Sequence, residues 1–358
     1  MARRAFSVIA GALAVLVVLE LLLQVLPTPS ATLTGQYVDR HLTTYPPGHE
    51  FRSATGWSFL NAHPQRANEH GFIPDRAFRP SPDAVALIGD SLVEQSMLPV
   101  PQRLASVLER ARDGRPVFSM GLGGTGLFDY LERVRYARER LGVNTFWIVI
   151  ERADIRQSLC AGGVYLDACL DSNGEIRRVE KPQRDPVRDI LARSAMLQYF
   201  VGVLRVSPDR LLAMFRRNVP EEGGRPQVKT AAAAQPVSAG EKAVVERFLA
   251  ELSRLDGARF GLIIDPEIQS LAQADWAGDQ ALAAMAERAR SFDIPVVNPR
   301  AALADYSTRT GLDMRVGPYD AHWNLHANCV IAGEMLRTFA LDSQPNGGNP
   351  KQFCPELR

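Results

Sequence analysis

Ser91 closes the tripeptide Gly89-Asp90-Ser91, which follows directly on the apolar run Val85-Ala86-Leu87-Ile88. A buried strand that ends this way leaves a serine hydroxyl at the strand-to-helix turn, where it can face a pocket. Far along the chain, Asp320 and His322 stand one residue apart in Asp320-Ala321-His322-Trp323-Asn324. An imidazole can take the serine proton and a carboxylate can orient the imidazole, so these three residue types together can carry acyl transfer. Their order along the chain, serine first and histidine last, fits a nucleophile set just after a buried strand.

The elements that must position these residues alternate. Val85 to Ile88, Val117-Phe118, Thr145 to Ile150, Phe260 to Ile264 and Ile294 to Val297 read as short apolar strands. Pro101 to Arg112, Leu127 to Leu141, Glu241 to Leu255, Ala281 to Arg290 and Leu325 to Thr338 have helical spacing. Short strands separated by helices imply an α/β fold with a parallel sheet covered on both faces. Ligands in such folds bind beyond the carboxyl ends of the strands. Four segments should converge there: the turn at Ser91, the loop Ser119 to Gly126, the segment Glu151 to Asp154, and the loop carrying Asp320 and His322. The Ser91 amide at a helix start and the Gly124 amide in a glycine loop are the expected oxyanion donors. Asp90 is expected to tie the turn together and Asp154 to cap the helix that follows it.

Gly89-Asp90-Ser91, the run Ser119 to Gly124 and the pair Asp320/His322 resemble, in order, three blocks of the SGNH (GDSL-type) hydrolases. The resemblance covers about residues 65 to 340. It implies a flavodoxin-like three-layer α/β/α sandwich, with Ser91 as nucleophile, His322 as base, Asp320 as its orienting partner and Gly124 as an oxyanion glycine. Asn68-Glu69-His70-Gly71-Phe72 is similar to a short Asn-x-x-Gly-Phe segment in membrane-anchored members, which often work on cell-surface or exported polysaccharide. The resemblance therefore implies an O-acyl, most simply O-acetyl, ester of a carbohydrate as substrate and proteins of polysaccharide assembly as partners. It implies no cofactor.

One block departs from the family. Gly-x-Asn-Asp should fall on Glu151-Arg152-Ala153-Asp154, which keeps only the aspartate and puts Ala153 where an oxyanion asparagine is expected. Loss of one such donor can cost about 10²–10³ in rate. Arg152 and Asn68 are the candidate replacements. Gln95 also stands where a glycine often follows the family serine. Three functions remain open at this point: an esterase, an O-acetyltransferase using the same triad, and a catalytically silent scaffold or binding subunit of a glycan-export machine. His322 and His326 have the spacing of a metal-binding helix face, but Trp-Asn-Leu between them supplies no glutamate, so no metal is expected. Trp323 reads as a packing residue, and His41, His49, His63 and His70 as solvated.

The 358 residues are 46% hydrophobic and 23% charged, with a net charge of +1, so no basic excess exists to neutralise nucleic-acid phosphates. Arg3 and Arg4 precede an apolar run from Ala5 to Leu26 broken only by Ser7, Glu20 and Gln24. That run is close to the roughly 20 residues that cross a bilayer, and Pro27-Thr28-Pro29 makes a poor signal cleavage site. A single-pass anchor is expected over a cleaved signal, with the arginines cytoplasmic and the rest outside. Glu20 is costly in such a span unless paired or near the interface. Cys160 with Cys169, and Cys329 with Cys354, form the simplest disulfide pairing, although four cysteines allow three connectivities. The expected organisation is an anchor over 1–28, a stalk and irregular lead-in over 29–80, a hydrolase-like domain over 81–345 with an insertion at 170–240, and a tail over 346–358. Within the insertion, one or two helices are expected over Asp185 to Arg217 and a flexible stretch over Asn218 to Gly240.

Overall fold

The computed structural model describes residues 2–30, 33–55, 58–74, 76–162, 167–179, 192–204, 236–271, 278–318, 320–339 and 353–355. Most of the expected flexible stretch, including the alanine run at 231–234, lies outside the described residues, as does most of the tail. The chain divides into two compact units. The smaller contains Met1–Leu33, Glu50–Arg66 and Pro182–Gln227; the larger contains Thr34–His49, Ala67–Lys181 and Val228–Arg358.

In the smaller unit α1 spans Ala2–Val25. Most of its apolar side chains, among them Phe6, Ile9, Leu13 and Leu22, are exposed, which fits a helix surrounded by lipid rather than a soluble core helix. Glu20 is paired. Its carboxylate accepts the Ser194 hydroxyl at 2.8 Å and the Ala195 and Met196 amides at 2.9 and 3.0 Å. These are the first donors of a one-turn helix, Ala195–Leu197, that runs on into a π turn over Gln198–Val203. An antiparallel hairpin of Glu50–Thr55 and Leu60–Arg66 completes the unit.

In the larger unit the elements follow the expected alternation: β1 Val85–Gly89, α2 Ser91–Glu94, α3 Leu104–Ala111, β2 Val117–Gly121, α4 Leu127–Leu141, β3 Thr145–Ile150 and α5 Arg152–Gln157. After the insertion come α6 Ala239–Ser253, β4 Arg259–Ile264, α7 Gln280–Arg290, β5 Val296–Val297, α8 Arg300–Thr310 and α9 Leu325–Phe339. The five strands form one parallel sheet in the order β5-β4-β3-β1-β2. This is the flavodoxin-like order, with the chain reversing direction of growth between β1 and β3.

Alternation along the strands feeds two cores. Ala86, Ile88, Phe146 and Ile148 face α4, α6 and α7, where Leu131, Phe248 and Met285 are buried. Val85, Leu87, Trp147 and Val149 face α3, α8 and α9, where Leu108, Leu303 and Ile331 are buried. Strands buried on both faces read as continuous apolar runs, and α/β/α layering follows.

The lead-in is more ordered than its sequence suggests. Gly35–Asp39 pairs with Leu42–Thr44, and Leu42, Phe72 and Phe78 are buried in the first core. Residues 34–49 and 67–80 therefore belong to the larger unit instead of forming a stalk. Both expected disulfides are present, Cys160–Cys169 and Cys329–Cys354. The second brings Phe353 and Cys354 into the second core.

Candidate active site

Ser91 is the first residue of α2, immediately past the end of β1. The tight turn depends on Gly89, where a Cβ would come within 2.6 Å of Val93. Asp90 caps the helix: its Oδ1 accepts the Leu92 amide at 2.9 Å, and its Oδ2 lies 3.3 Å from Ser91 Oγ. From below, the buried Arg133 guanidinium of α4 binds the Gly89 and Met120 carbonyls, which fixes the ends of β1 and β2.

Asp320 and His322 lie in the short strand Asp320–Trp323, just before α9. His322 Nε2 is 2.9 Å from Ser91 Oγ, and His322 Nδ1 is 2.5 Å from Asp320 Oδ1. The same Asp320 oxygen accepts the His322 amide at 3.0 Å, which locks the imidazole against its own backbone. Burial pulls the His322 pKa down, but the hydrogen bond and charge of Asp320, helped by Asp90 and Glu151, more than offset it, so the net shift is upward. Trp323, the last residue of this strand, is fully buried as a packing residue.

The glycine loop is held from α2. Glu94 accepts the Gly123 amide at 2.8 Å, and at Gly121 a Cβ would lie only 2.2 Å from the Glu94 nitrogen. Gly121 thus serves close packing rather than access. Gly124 has φ +76° and open space on its Cβ side. Among the described residues the Ser91 and Gly124 amides donate to no protein acceptor, so both remain available to a ligand oxygen.

Asp154 is buried and its Oδ2 accepts the Glu151 amide at 2.8 Å, so it caps α5. Ala153 on that first turn has no side-chain donor. Arg152, expected as a possible replacement donor, is instead tied through Nη1 to Asp279 Oδ2 at 2.8 Å. Asn68 closes a tight turn through its Oδ1, which accepts the His70 and Phe72 amides, each at 3.0 Å, while its Nδ2 is buried without a protein acceptor among the described residues. His70 is not solvated as expected, since its Nδ1 is 2.9 Å from the Tyr136 hydroxyl and its ring stacks on Phe78. His326 stacks on Tyr306.

Sequence reasoning passes over a row of acids at the strand ends. Asp90 follows β1, Glu151 follows β3 and Asp265 follows β4, three neighbouring strands. Oxygens of Asp90, Glu151 and Asp154 lie within 4.8 Å of one another. Burial, then the Asp90 and Asp265 charges, push the Glu151 pKa up to about 8. Burial likewise raises Asp265 to about 6, with the Asp90 charge adding to it, and drives Asp154 upward. With its pKa at about 8, Glu151 holds its proton at neutral pH and adds no charge beside the imidazole. The available signal was positional: an acid directly after each buried strand.

No family model and no curated protein matches this chain. Solved structures do resemble it. A member of the lipolytic G-D-S-L family from Veillonella parvula is 10% identical, with 72% of this chain and 98% of that chain covered and a TM-score of 0.39. An acetyl xylan esterase variant from Geobacillus stearothermophilus is 12% identical, covering 72% and 95%, with a TM-score of 0.36. A third, an acetyl xylan esterase, is 10% identical, covering 70% and 97%, with a TM-score of 0.35. These are distant likenesses of fold, and the chemistry must be argued from the site.

Proposed function

We propose that this chain is a membrane-anchored serine hydrolase that cleaves ester bonds, with Ser91 as nucleophile, His322 as general base and Asp320 as the orienting carboxylate. One observation carries the reading: a continuous relay from Asp320 Oδ1 through His322 to Ser91 Oγ, with contacts of 2.5 and 2.9 Å. Those distances lie within reach of direct proton transfer.

His322 Nε2 takes the Ser91 proton as Oγ bonds to the acyl carbonyl carbon. The Ser91 and Gly124 amides receive the resulting oxyanion. The imidazolium then gives its proton to the departing alkoxide, which leaves as an alcohol. Water attacks the acyl-enzyme, its proton passes to His322, and the carboxylic acid departs as Ser91 is regenerated.

The substrate we propose is an O-acyl, specifically O-acetyl, group on a cell-envelope or exported carbohydrate. The acids around His322 disfavour an anionic acyl group and suit a small neutral one. The exposed apolar α1 and the two disulfides support an exported domain held at a membrane, in an oxidising compartment.

The test is a serine-directed fluorophosphonate probe on the folded full-length chain. The wild-type protein should label at Ser91 and Ser91→Ala should not, and an acetylated glycan should release acetate only with the former. A folded wild-type protein that does not label would leave the scaffold reading, which the absence of a side-chain donor at Ala153 favours.

A further inference from the structure

Where α1 ends, the smaller unit forms an open cavity of about 550 Å³. Its apolar lining includes Leu23 and Leu26 from the end of the helix and Phe51 from the hairpin; its cationic lining is Arg52, Arg66 and Arg193. Glu50 is the one carboxylate on the wall, 3.7 Å from Arg66. Three positive charges against one negative leave a net of two positive charges around a partly apolar hollow. Arg52, Arg66 and Arg193 are all exposed, so their heads are reachable by a ligand.

The depth of this cavity follows from the helix. Phe6–Val25 is 20 residues, about 30 Å at 1.5 Å per residue, which matches the hydrocarbon thickness of a bilayer. Leu23 to Ser30 therefore stand where hydrocarbon gives way to headgroups. Two other features mark the same level. Glu20, roughly 7 Å below the helix end by the same rise, binds Ser194, Ala195 and Met196. Beyond them Tyr199 lies 5.2 Å from Phe59 and 5.8 Å from Phe200, while Phe200 and Leu204 are exposed. Aromatic rings collect at the membrane interface, and arginines beside them reach for phosphates.

We propose that this cavity binds the headgroup of an anionic phospholipid from the bilayer that holds α1. The phosphodiester sits among Arg52, Arg66 and Arg193, and the glycerol and first methylenes lie on Leu23, Leu26 and Phe51. The smaller unit is on this account a lipid-reading collar, with Ser194–Leu204 lying in the interface. This rests on the anchor reading of α1 and is independent of the esterase reading.

The experiment uses the full-length chain in nanodiscs of equimolar phosphatidylglycerol and phosphatidylcholine, with retained lipid identified by native mass spectrometry after release. A net of two positive charges, at about fivefold each near a membrane surface, predicts roughly a 30-fold preference for phosphatidylglycerol. The exposed triple substitution Arg52→Gln, Arg66→Gln and Arg193→Gln should bring the preference to within about twofold, with an unchanged melting curve. Saturating inorganic phosphate should leave the lipid in place, because the apolar wall holds what phosphate lacks. Equal retention of both lipids by the wild-type chain, a preference that survives the triple substitution, or displacement by phosphate would each overturn the proposal. The intact mass of the membrane-bound protein separates the premises: loss of the first 25 to 30 residues defeats the anchor reading, whereas no preference in an intact chain defeats the lipid site alone.

Discussion

Asp90 and Glu151 face each other across the ends of two adjacent strands, their carboxyl oxygens within 4.8 Å. Because burial and the neighbouring charges lift Glu151 to about 8, the sign of its pH effect is fixed. Below the unfolded carboxyl pKa both states are protonated and nothing is lost. As pH rises from about 4.5 to about 8, the unfolded chain releases this proton while the folded chain retains it, so the folded state loses stability across that window. Asp265 and Asp129, both raised to about 6, act in the same direction over its lower half. Glu151→Gln is a neutral side chain of the same shape and should flatten the upper half. Melting temperatures measured from pH 5 to pH 9 should show the variant gaining on wild type as pH rises; parallel curves would refute the raised Glu151 pKa.

Asp320 holds His322 through both its ring and its amide, so its loss has two separable consequences. Asp320→Asn leaves the shape but offers the wrong hydrogen-bonding partner, and the Ser91 labelling rate should fall by about 10³–10⁴. It also removes the main influence that raises the His322 pKa. The imidazole must be neutral to accept the serine proton, so the acidic limb of the residual labelling rate should move to lower pH. A variant that folds but keeps the wild-type limb would show that His322 is not the titrating base.

Gln95 occupies the left-handed conformation at the end of α2, with φ 48° and ψ 41°, a geometry that glycine adopts at lower cost by about 1–2 kcal/mol. Its side chain argues the other way. Oε1 accepts the Leu104 amide at 2.6 Å and Asn328 Nδ2 at 3.1 Å, and Nε2 donates to Asn328 Oδ1 at 2.9 Å, all in the interior. Each buried group left unpaired costs about 1–3 kcal/mol. Gln95→Gly should therefore destabilise by about 1–3 kcal/mol net, despite the relaxed backbone. Urea denaturation measures this, and a stabilised glycine variant would mean that backbone strain dominates.

These residues also show what could be read in advance. The sheet strands were legible because each is a short run buried on both faces, and Ser91 was legible because it follows one of them. Glu151 and Asp265 were not, since what joins them is the register Ile150 to Ile264 between β3 and β4, a relation that no spacing along the chain encodes. Gln95 could be read only as an absent glycine, because its partner Asn328 is 233 positions away. Helix α8 escaped notice because only Leu303 and Tyr306 are buried along its 11 residues, too few to impose a helical period. The hairpins of the lead-in were hidden by strands that mix polar and apolar residues without clean alternation.

Cys354 ties the end of the chain to α9, closing a loop of sequence separation 25 on Cys329. Both cysteines are fully buried, and Phe353 beside them packs in the second core. A loop of that length is expected to contribute about 3 kcal/mol by restricting the unfolded chain. The double substitution Cys329→Ser and Cys354→Ser should lower stability by that amount or somewhat more, because two hydroxyls then occupy apolar space. The labelling rate at Ser91 should stay close to wild type under conditions where the protein remains folded, since the bridge joins α9 about one turn past its start and not the strand Asp320–Trp323 that bears His322. Denaturation with and without a reductant, run alongside probe labelling, checks both halves. A loss of labelling in protein that is still folded would mean that the first turns of α9 need the bridge to hold the preceding strand, and with it His322, in place.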